Sequence, residues 1–361
     1  MPFSDDLAHP AASVRQSLCE IWNRKQIGKV YDVYQHNVEL HTPDGCLYGR
    51  EVVIRSITLR LAAFPNLSYT VEDLICAMGE QDTFKVAVRW TMAGKNTGYT
   101  EYGPPTGREV VLRGMSHFRL KKDRVVEQWT VDNELSLLRQ LGLEAADLAH
   151  QRASRGAFDE RTWGAVERVL GQATPEVMPP PMTEAFDVED LILRSRHEIW
   201  NWCLLGTIDK VYAEDVAFHG PSDLTIGDRE DFKAYVLSML AAFPDLEMLV
   251  DDVVWSDDGE GRYRASARWS LLGTHRGSGP YGSPSGNRVR VTGVTDNVIR
   301  GGRIVEEWTE LGEFALLKQI HRSIQGSVEA PDQMDAGQSI TDTQQDMRTG
   351  DDTGNGDAGE Q

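Results

Sequence analysis

Between Gly114 and Asp132 the sequence gathers a histidine, an amide, a hydroxyl and a carboxylate onto what reads as one β-hairpin. Alternation along its second strand puts Gln128, Thr130 and Asp132 on one face and Glu127, Trp129 and Val131 on the other. Pairing about the turn Lys121-Lys122-Asp123 sets His117 opposite Gln128, so that His117, Gln128, Thr130 and Asp132 share a face. If that face is concave, a histidine beside a carboxylate in an apolar enclosure is suited to proton transfer near neutral pH. If it is solvated, His117 merely covers the sheet.

A second segment repeats the pattern with different side chains, Asp296, Glu307, Thr309 and Leu311. Across the same hairpin Asp296 and Glu307 face each other, and in a pocket of low dielectric one of two such acids is driven to hold its proton. On a wet face they are two exposed acids. His41 and His219 each close a strand just before a turn, as ligand-contacting groups or as hydrogen-bond partners for the turn. In Arg89-Trp90 and Arg268-Trp269 one member of each pair faces inward. An inward Arg polarises a carbonyl or binds an enolate oxygen; otherwise the Trp is core and the Arg lies between domains. Trp22 and Trp200 sit on the inner face of a helix, as core or as ligand stackers, and Tyr99 and His275 fall near the rim. The histidines lack the i, i+4 spacing of a helical metal site, and no phosphate-cradling glycine loop or nucleophile elbow is present, so neither a metal nor another cofactor is expected.

The elements that position these residues are written twice. Glu20-Ile21-Trp22-Asn23, Val33-Tyr34 and His41-x-Pro43 recur as Glu198-Ile199-Trp200-Asn201, Val211-Tyr212 and His219-x-Pro221. After one inserted residue Ala62-Ala63-Phe64-Pro65, Arg89-Trp90, Tyr102-Gly103-x-Pro105-x-Gly107 and Glu127-x-Trp129-Thr130 return as Ala241-Ala242-Phe243-Pro244, Arg268-Trp269, Tyr281-Gly282-x-Pro284-x-Gly286 and Glu306-x-Trp308-Thr309. A unit this long is a duplicated domain rather than a solenoid repeat. Each copy reads as an opening helix (11 to 26; 188 to 204) ended near Gly28 or Gly206, then a short strand, then a second helix (50 to 63; 229 to 242) stopped before Pro65 or Pro244. Four strands follow, in the first copy at about 67 to 76, 83 to 94, 108 to 120 and 124 to 132. The expected architecture is α+β: two tandem cone-shaped domains, each a curved antiparallel sheet wrapped around its N-terminal helices. The boundaries are 1–142 for the first domain, 143–186 for a linker with one helix (157 to 170) and a Pro-rich segment, 187–325 for the second domain, and 326–361 for an acidic disordered tail.

The net charge of −19 is uneven, since that tail from Glu329 onward holds nine acids and one Arg, roughly −8 of the total. The folded part is only moderately acidic, which argues against a nucleic-acid surface. Cys19, Cys46, Cys76 and Cys203 form no CxxC pair, so a disulfide framework or structural zinc site is not expected. With no apolar span of membrane length and no signal-like start, the expectation is a cytoplasmic protein with no membrane partner.

The runs Ala62-Ala63-Phe64-Pro65-Asn66-Leu67, Val88-Arg89-Trp90-Thr91, Gly103-Pro104-Pro105-Thr106-Gly107, Gly114-Met115-Ser116-His117-Phe118-Arg119, Val126-Glu127-Gln128-Trp129 and Leu137-Leu138-Arg139-Gln140-Leu141-Gly142 resemble the SnoaL-like polyketide cyclases of the nuclear transport factor 2-like superfamily. The likeness covers nearly all of the first copy and, more loosely, the second. It implies a cofactor-free cavity in which an Asp just after the last-strand Trp acts as general acid/base in an aldol ring closure. Here those positions are Thr130 and Thr309, and the nearest acids are Asp132 in the first copy and Glu307 or Glu310 in the second. The reading is therefore a cyclase, isomerase or lyase acting on a small hydrophobic carbonyl compound, with His117 and Asp132, or Asp296 and Glu307, in the catalytic roles. A non-catalytic tandem binding protein for an apolar ligand is the alternative. Third is an epoxide hydrolase, in which this superfamily sets an Arg between two Asp residues. Members of the superfamily commonly dimerise through the outer sheet face, so the tandem chain is expected to be an intrachain pseudo-dimer.

Overall fold

The computed structural model describes residues 5–153, 174–178 and 186–322. The expected helix at 157 to 170, Pro179-Pro180-Pro181 and the acidic tail lie outside them. The first copy runs α1 (Asp5–Trp22), α2 (Val30–Val33), β1 (Tyr34–Thr42), β2 (Gly45–Tyr48), α3 (Arg50–Ala63), β3 (Ser68–Met78), β4 (Thr83–Lys95), β5 (Glu109–Lys121), β6 (Arg124–Asp132) and α4 (Glu134–Leu141). A further helix that the sequence pattern did not separate from the linker, α5 (Ala145–Ala153), follows. The second copy runs α6 (Val188–Arg196), α7 (Gly206–Val211), β7 (Tyr212–His219), β8 (Thr225–Ile226), α8 (Arg229–Ala242), β9 (Glu247–Gly259), β10 (Arg262–Thr274), β11 (Arg288–Arg300), β12 (Arg303–Leu311) and α9 (Glu313–Ile320). Among the described residues no helix is long and apolar enough to cross a membrane.

α1 buries Ala11, Val14, Leu18 and Ile21, spaced to make one apolar stripe. Its exit does not use Gly28. The left-handed residue is Lys25, matched by Cys203 in the second copy. The neighbouring Asn23 explains the departure, because its side-chain amide exchanges hydrogen bonds with the backbone of Tyr69 at 2.9 and 2.7 Å and ties the helix end to β3. Asn201 does the same with Met248. The Trp-Asn pair of the repeated motif is thus a helix-to-sheet clasp.

Each sheet has six strands, in the order β2-β1-β6-β5-β4-β3 and β8-β7-β12-β11-β10-β9. They are mixed rather than wholly antiparallel, since β1 runs parallel to β6 and β7 to β12. The long crossover through α3 or α8 makes that direction possible. Gly114 lies flat beneath the Trp90 ring, where a Cβ would come within 2.2 Å of ring carbon, and Gly293 stands in the same relation to Trp269.

A β-bulge decides which way the last hairpin faces. Leu120 pairs with Val125 but Arg119 pairs with Glu127, so Val126 is extra. Without it His117 would lie opposite Gln128; with it His117 lies opposite Trp129. His117 is therefore on the outward face, away from Gln128, Thr130 and Asp132. The second copy repeats the bulge between Val298 and Ile299, so Asp296 pairs with Trp308 and stands on the opposite face from Glu307. The two acids expected to face each other do not.

Those outward faces pack on one another within the chain. Ile75 and Ala87 meet Val254, and Met115 and Val131 meet Val294. Around these contacts the Arg–Trp stacks and one set of salt bridges between the copies have mirror partners. The Arg89 guanidinium lies 3.7 Å over the Trp308 ring and 3.4 Å from Asp296, while Arg268 lies 4.0 Å over Trp129 and 3.7 Å from Asp251. Lys85 pairs with Asp252, and its counterpart Arg264 with Asp73. Reciprocity of this kind is the mark of a two-fold, isologous interface. At the far end Leu135, Leu138, Ala145 and Ala149 close on Phe314 and Leu317, which joins α4 and α5 to α9.

Asp296 is pushed up to about 6, chiefly by burial, with the charge of Arg89 pulling the other way. A carboxyl raised on folding contributes stability that is complete below its unfolded value of about 4 and is lost as pH climbs through the folded one. Asp296→Asn removes that loss, so its melting temperature relative to the parent should improve between pH 5 and pH 7.5; an offset that does not change with pH would contradict the assignment.

Candidate active site

The inner face of the first sheet, α1 and α3 enclose a cavity of about 240 Å³. One wall is aromatic: Trp22 stacks on Tyr69 at 5.9 Å and Tyr69 on Trp90 at 5.6 Å. Leu18, Ile21, Leu40, Val53, Ile57, Met92 and Phe118 complete the apolar lining. The polar residues run along β6. The Tyr34 hydroxyl donates to Gln128 Oε1 at 2.8 Å, and Gln128 Nε2 donates to Thr130 Oγ1 at 2.7 Å. The Thr130 and Ser116 hydroxyls lie 2.9 Å apart, and Trp90 Nε1 donates to Ser116 at 3.0 Å. These groups satisfy one another, which fixes their rotamers and makes them a framework rather than a proton relay.

The ionisable groups stand at the end of that row. Arg60, from α3, donates through Nη2 to Asp132 Oδ2 at 3.1 Å. Its other terminal nitrogen, Nη1, is buried and has no hydrogen-bond partner among the described residues. Glu134 begins α4 and accepts a hydrogen bond from the Tyr102 hydroxyl. Burial pushes the Glu134 carboxyl up to about 7, the charge of Asp132 adds to the shift, and the bond from Tyr102 opposes it. A fixed carboxylate, an unsatisfied guanidinium N–H and a carboxyl that holds its proton to near neutrality thus line one apolar cavity.

The second cone is built on the same plan and is full. Its remaining space is about 20 Å³. Where the first copy has Leu40, Val53 and Ser56, the second has Phe218, Phe232 and Tyr235, and these three rings pack together. Glu307 is buried and engaged on every side. Arg196 Nη2 donates to it at 3.1 Å, Tyr212 at 2.8 Å, Asn297 at 2.9 Å and Thr309 at 3.2 Å. A carboxylate so bound is no free base. In place of Arg60 and Asp132 the second copy has Met239 and Leu311.

Of the expected residues, Trp22, Trp90, Gln128, Thr130 and Asp132 meet in the first cavity, and Trp200, Trp269, Glu307 and Thr309 line the filled one. The others are on the outer face. His117 is buried between the domains, its Nε2 2.8 Å from the Ser266 hydroxyl, and burial lowers its pKa to about 4. His41 stacks on Trp129 at 4.9 Å and His219 on Trp308 at 5.0 Å. Arg89 and Arg268 are interface residues, the second of the two readings their motif allowed. Tyr99 is exposed, and His275 is buried against Phe243 and Ser285 rather than at a rim. Arg60, Glu134 and Tyr102 escaped the sequence reading. Tyr102 and Glu134 carry a faint signal, because Tyr281 and Glu313 repeat them and repeat their hydrogen bond at 3.2 Å. Arg60 carries its signal in the difference from Met239.

A family model described as SnoaL-like polyketide cyclase matches residues 12–141 and again 190–320. Among solved structures, a proposed SnoaL-like polyketide cyclase from Jannaschia sp. CCS1 is 17% identical over 40% of this chain and 99% of its own, with a TM-score of 0.36. AclR, a proposed hydroxylase from Streptomyces galilaeus, is 26% identical over 38% of this chain and 97% of its own, with a TM-score of 0.33. IdmH, a proposed polyketide cyclase from Streptomyces antibioticus, is 24% identical over 37% of this chain and 99% of its own, with a TM-score of 0.32. A search of the curated proteins found no match. Two family matches that together span most of its length make this chain a member of the SnoaL-like polyketide cyclase family, with the family's domain present twice in tandem.

Proposed function

We propose that the first domain is a cofactor-independent acid/base catalyst acting on a small hydrophobic carbonyl compound, and that the second is its inert structural partner. One observation carries this reading: the Arg60–Asp132 pair stands in the open cone, and the filled cone has Met239 and Leu311 instead. An ion pair costs desolvation wherever it is buried, and a cavity wall without a task is as well served by two apolar residues. The Trp22, Tyr69 and Trp90 wall suits a flat, unsaturated skeleton.

In this mechanism the substrate carbonyl oxygen accepts from the unpartnered Nη1 of Arg60, whose charge stabilises the enolate that forms. Asp132, held in place by Arg60 Nη2, removes the proton from the adjacent carbon. Glu134, still protonated near neutral pH, supplies a proton to the developing alkoxide of ring closure or returns one to the enolate in an isomerisation. Gln128, Thr130 and Ser116 shape the floor. Epoxide opening is the second reading, favoured by the position of Arg60 among Asp132 and Glu134, both of whose charges act on it.

Proton exchange at the α-carbon tests the first reading without knowledge of the natural substrate. In deuterated water, a panel of small aromatic β-keto esters should exchange in the presence of the protein. Asp132→Asn should lose about 10²-fold or more, the lower end of what a positioned acid/base group contributes. Exchange that is unchanged in Asp132→Asn and in Arg60→Met would rule the mechanism out; binding of the esters with no exchange would favour a carrier, and hydrolysis of styrene oxide the epoxide reading.

The pH profile follows from Glu134. Its neutral form is present below about 7 and is lost above, so turnover should fall on the alkaline side with a midpoint near 7. Glu134→Gln stays neutral at every pH and should flatten that limb. If the limb survives the substitution, the proton is lost from another group.

The second domain offers a thermodynamic test. Removing one member of a buried ion pair costs about 3–5 kcal/mol because the other is left unpaired. Glu307→Gln and Arg196→Leu should each destabilise the chain on that scale in urea unfolding. Combined, they reproduce the first copy's Gln128 and Leu18 and should recover most of the loss, with exchange activity intact throughout.

A further inference from the structure

At the edge of the first sheet, β1 and β2 carry donors on the outward face that the chemistry above does not use. Glu39, His41 and Cys46 bring a carboxylate oxygen, an imidazole nitrogen and a thiol within 4.8 Å of one another. The pairing explains their convergence: His41 lies directly opposite Cys46, and Glu39 precedes His41 by two residues, hence on the same face. Glu39 Oε2 is 3.8 Å from His41 Nε2. Two ligands of one tetrahedral ion with bonds of about 2.0–2.3 Å stand roughly 3.3–3.7 Å apart, so little adjustment is needed. From β6, Glu127 stands next to the cluster, its Oε1 2.9 Å from His41 Nε2 and its other oxygen paired with Arg119. The His41 ring lies flat on Trp129, with an interplanar angle of 7°, which fixes the direction of its nitrogen. All four residues line a groove of about 240 Å³ that opens between the two sheets and gives an ion a way in.

The second copy separates scaffold from addition. His219 keeps the stack on Trp308 and its contact with Glu306 at 3.3 Å. Glu39 and Cys46, however, have become Ala217 and Thr225, the latter still directly opposite the histidine. The stacked His–Glu pair belongs to the shared frame, whereas the extra carboxylate and the thiol belong to the first copy alone.

We propose that Glu39, His41 and Cys46 bind a divalent transition-metal ion of the zinc class, with Glu127 completing the shell. A thiolate, an imidazole and carboxylates together select zinc over magnesium or calcium, which prefer oxygen alone. Loading releases the Cys46 thiol proton to solvent, His41 binds through Nε2 as neutral imidazole with its proton on Nδ1, and no electrons change hands. The ion would bridge β2, β1 and β6. Because the turn between β1 and β2, Thr42 to Asp44, lines the first cavity, it would also stiffen the cavity rim.

Cobalt reports such a site directly, since a cobalt–thiolate bond absorbs in the near ultraviolet. The full chain, freed of metal by chelation, should take up one equivalent of Co²⁺ with that band and lose it to equimolar Zn²⁺. Cys46→Thr and Glu39→Ala install the residues that the second copy carries in the same fold. The first should abolish the band and the second should weaken cobalt binding at least about tenfold, the lower end of what a lost supporting group costs a metal site. Cys19→Ser and Cys203→Ser should leave the band unchanged. A parent chain that shows no thiolate band, or a band that persists in Cys46→Thr, overturns the proposal.

Discussion

Everything in this molecule is arranged around the burial of two guanidinium groups. Arg89 and Arg268 project from the convex faces of their sheets, and each finds its aromatic surface on the other copy, Trp308 for Arg89 and Trp129 for Arg268; Arg89 also meets Asp296 of the other copy, whereas Asp251 beside Arg268 belongs to the same copy as Arg268. An Arg over a Trp face is worth roughly 0.5–2 kcal/mol, the larger figure applying when water is excluded. The geometric demand matters more than the energy. Neither Arg–Trp stack forms within one copy, so the sheets must meet back to back. His41 and His219 then back the Trp rings from the far side, and His117 closes on Ser266. With most of the convex faces covered, the concave faces offer the apolar enclosure that a small hydrophobic ligand requires.

The arrangement explains why the copies were free to diverge inside while agreeing outside. In a dimer of identical chains, a substitution that fills one cone fills both. Covalent fusion removes that coupling, and the second cone has been closed by aromatic residues and by a matched exchange of partners. Leu18 with Gln128 in one copy answers to Arg196 with Glu307 in the other, and Arg60 with Asp132 answers to Met239 with Leu311. Both exchanges are compensated: a buried charge arrives with its counter-ion or leaves with it, because a lone one would cost several kcal/mol.

Much of this was legible in the sequence, and the reasons are physical. The helices Arg50–Ala63 and Arg229–Ala242 were readable to the residue because a proline follows and the apolar stripe precedes it. The long strands were readable from alternation. The facing of His117 and Asp296 was not. A hairpin register is a count of residues, and one extra residue at Val126 inverts the orientation of all that lie on the far side of it relative to β6. Nothing in the composition of Val125-Val126-Glu127 marks a bulge. Arg60 was hidden for a different reason: on an amphipathic helix a single Arg reads as a solvent-facing residue, and only the arrival of Asp132 from a strand 72 residues away turns it inward.

The edge strands show the same limit from the other side. Metal sites announce themselves in sequence when their ligands share one helix or one knuckle, because the spacing is then fixed by local geometry. Glu39, His41, Cys46 and Glu127 come from three adjacent strands that form one antiparallel and one parallel pair, and their proximity depends on two registers and a bulge at once. The same bulge that turns His117 away from the cavity also carries Glu127 to the outward face beside His41. One inserted residue therefore separates the two proposed sites of the first domain, leaving Asp132 on the concave face with Arg60 and placing Glu127 on the convex face with the histidine and the thiol. A sheet that is two-faced by construction can hold both without either disturbing the other, provided the register between β5 and β6 is held by their antiparallel ladder.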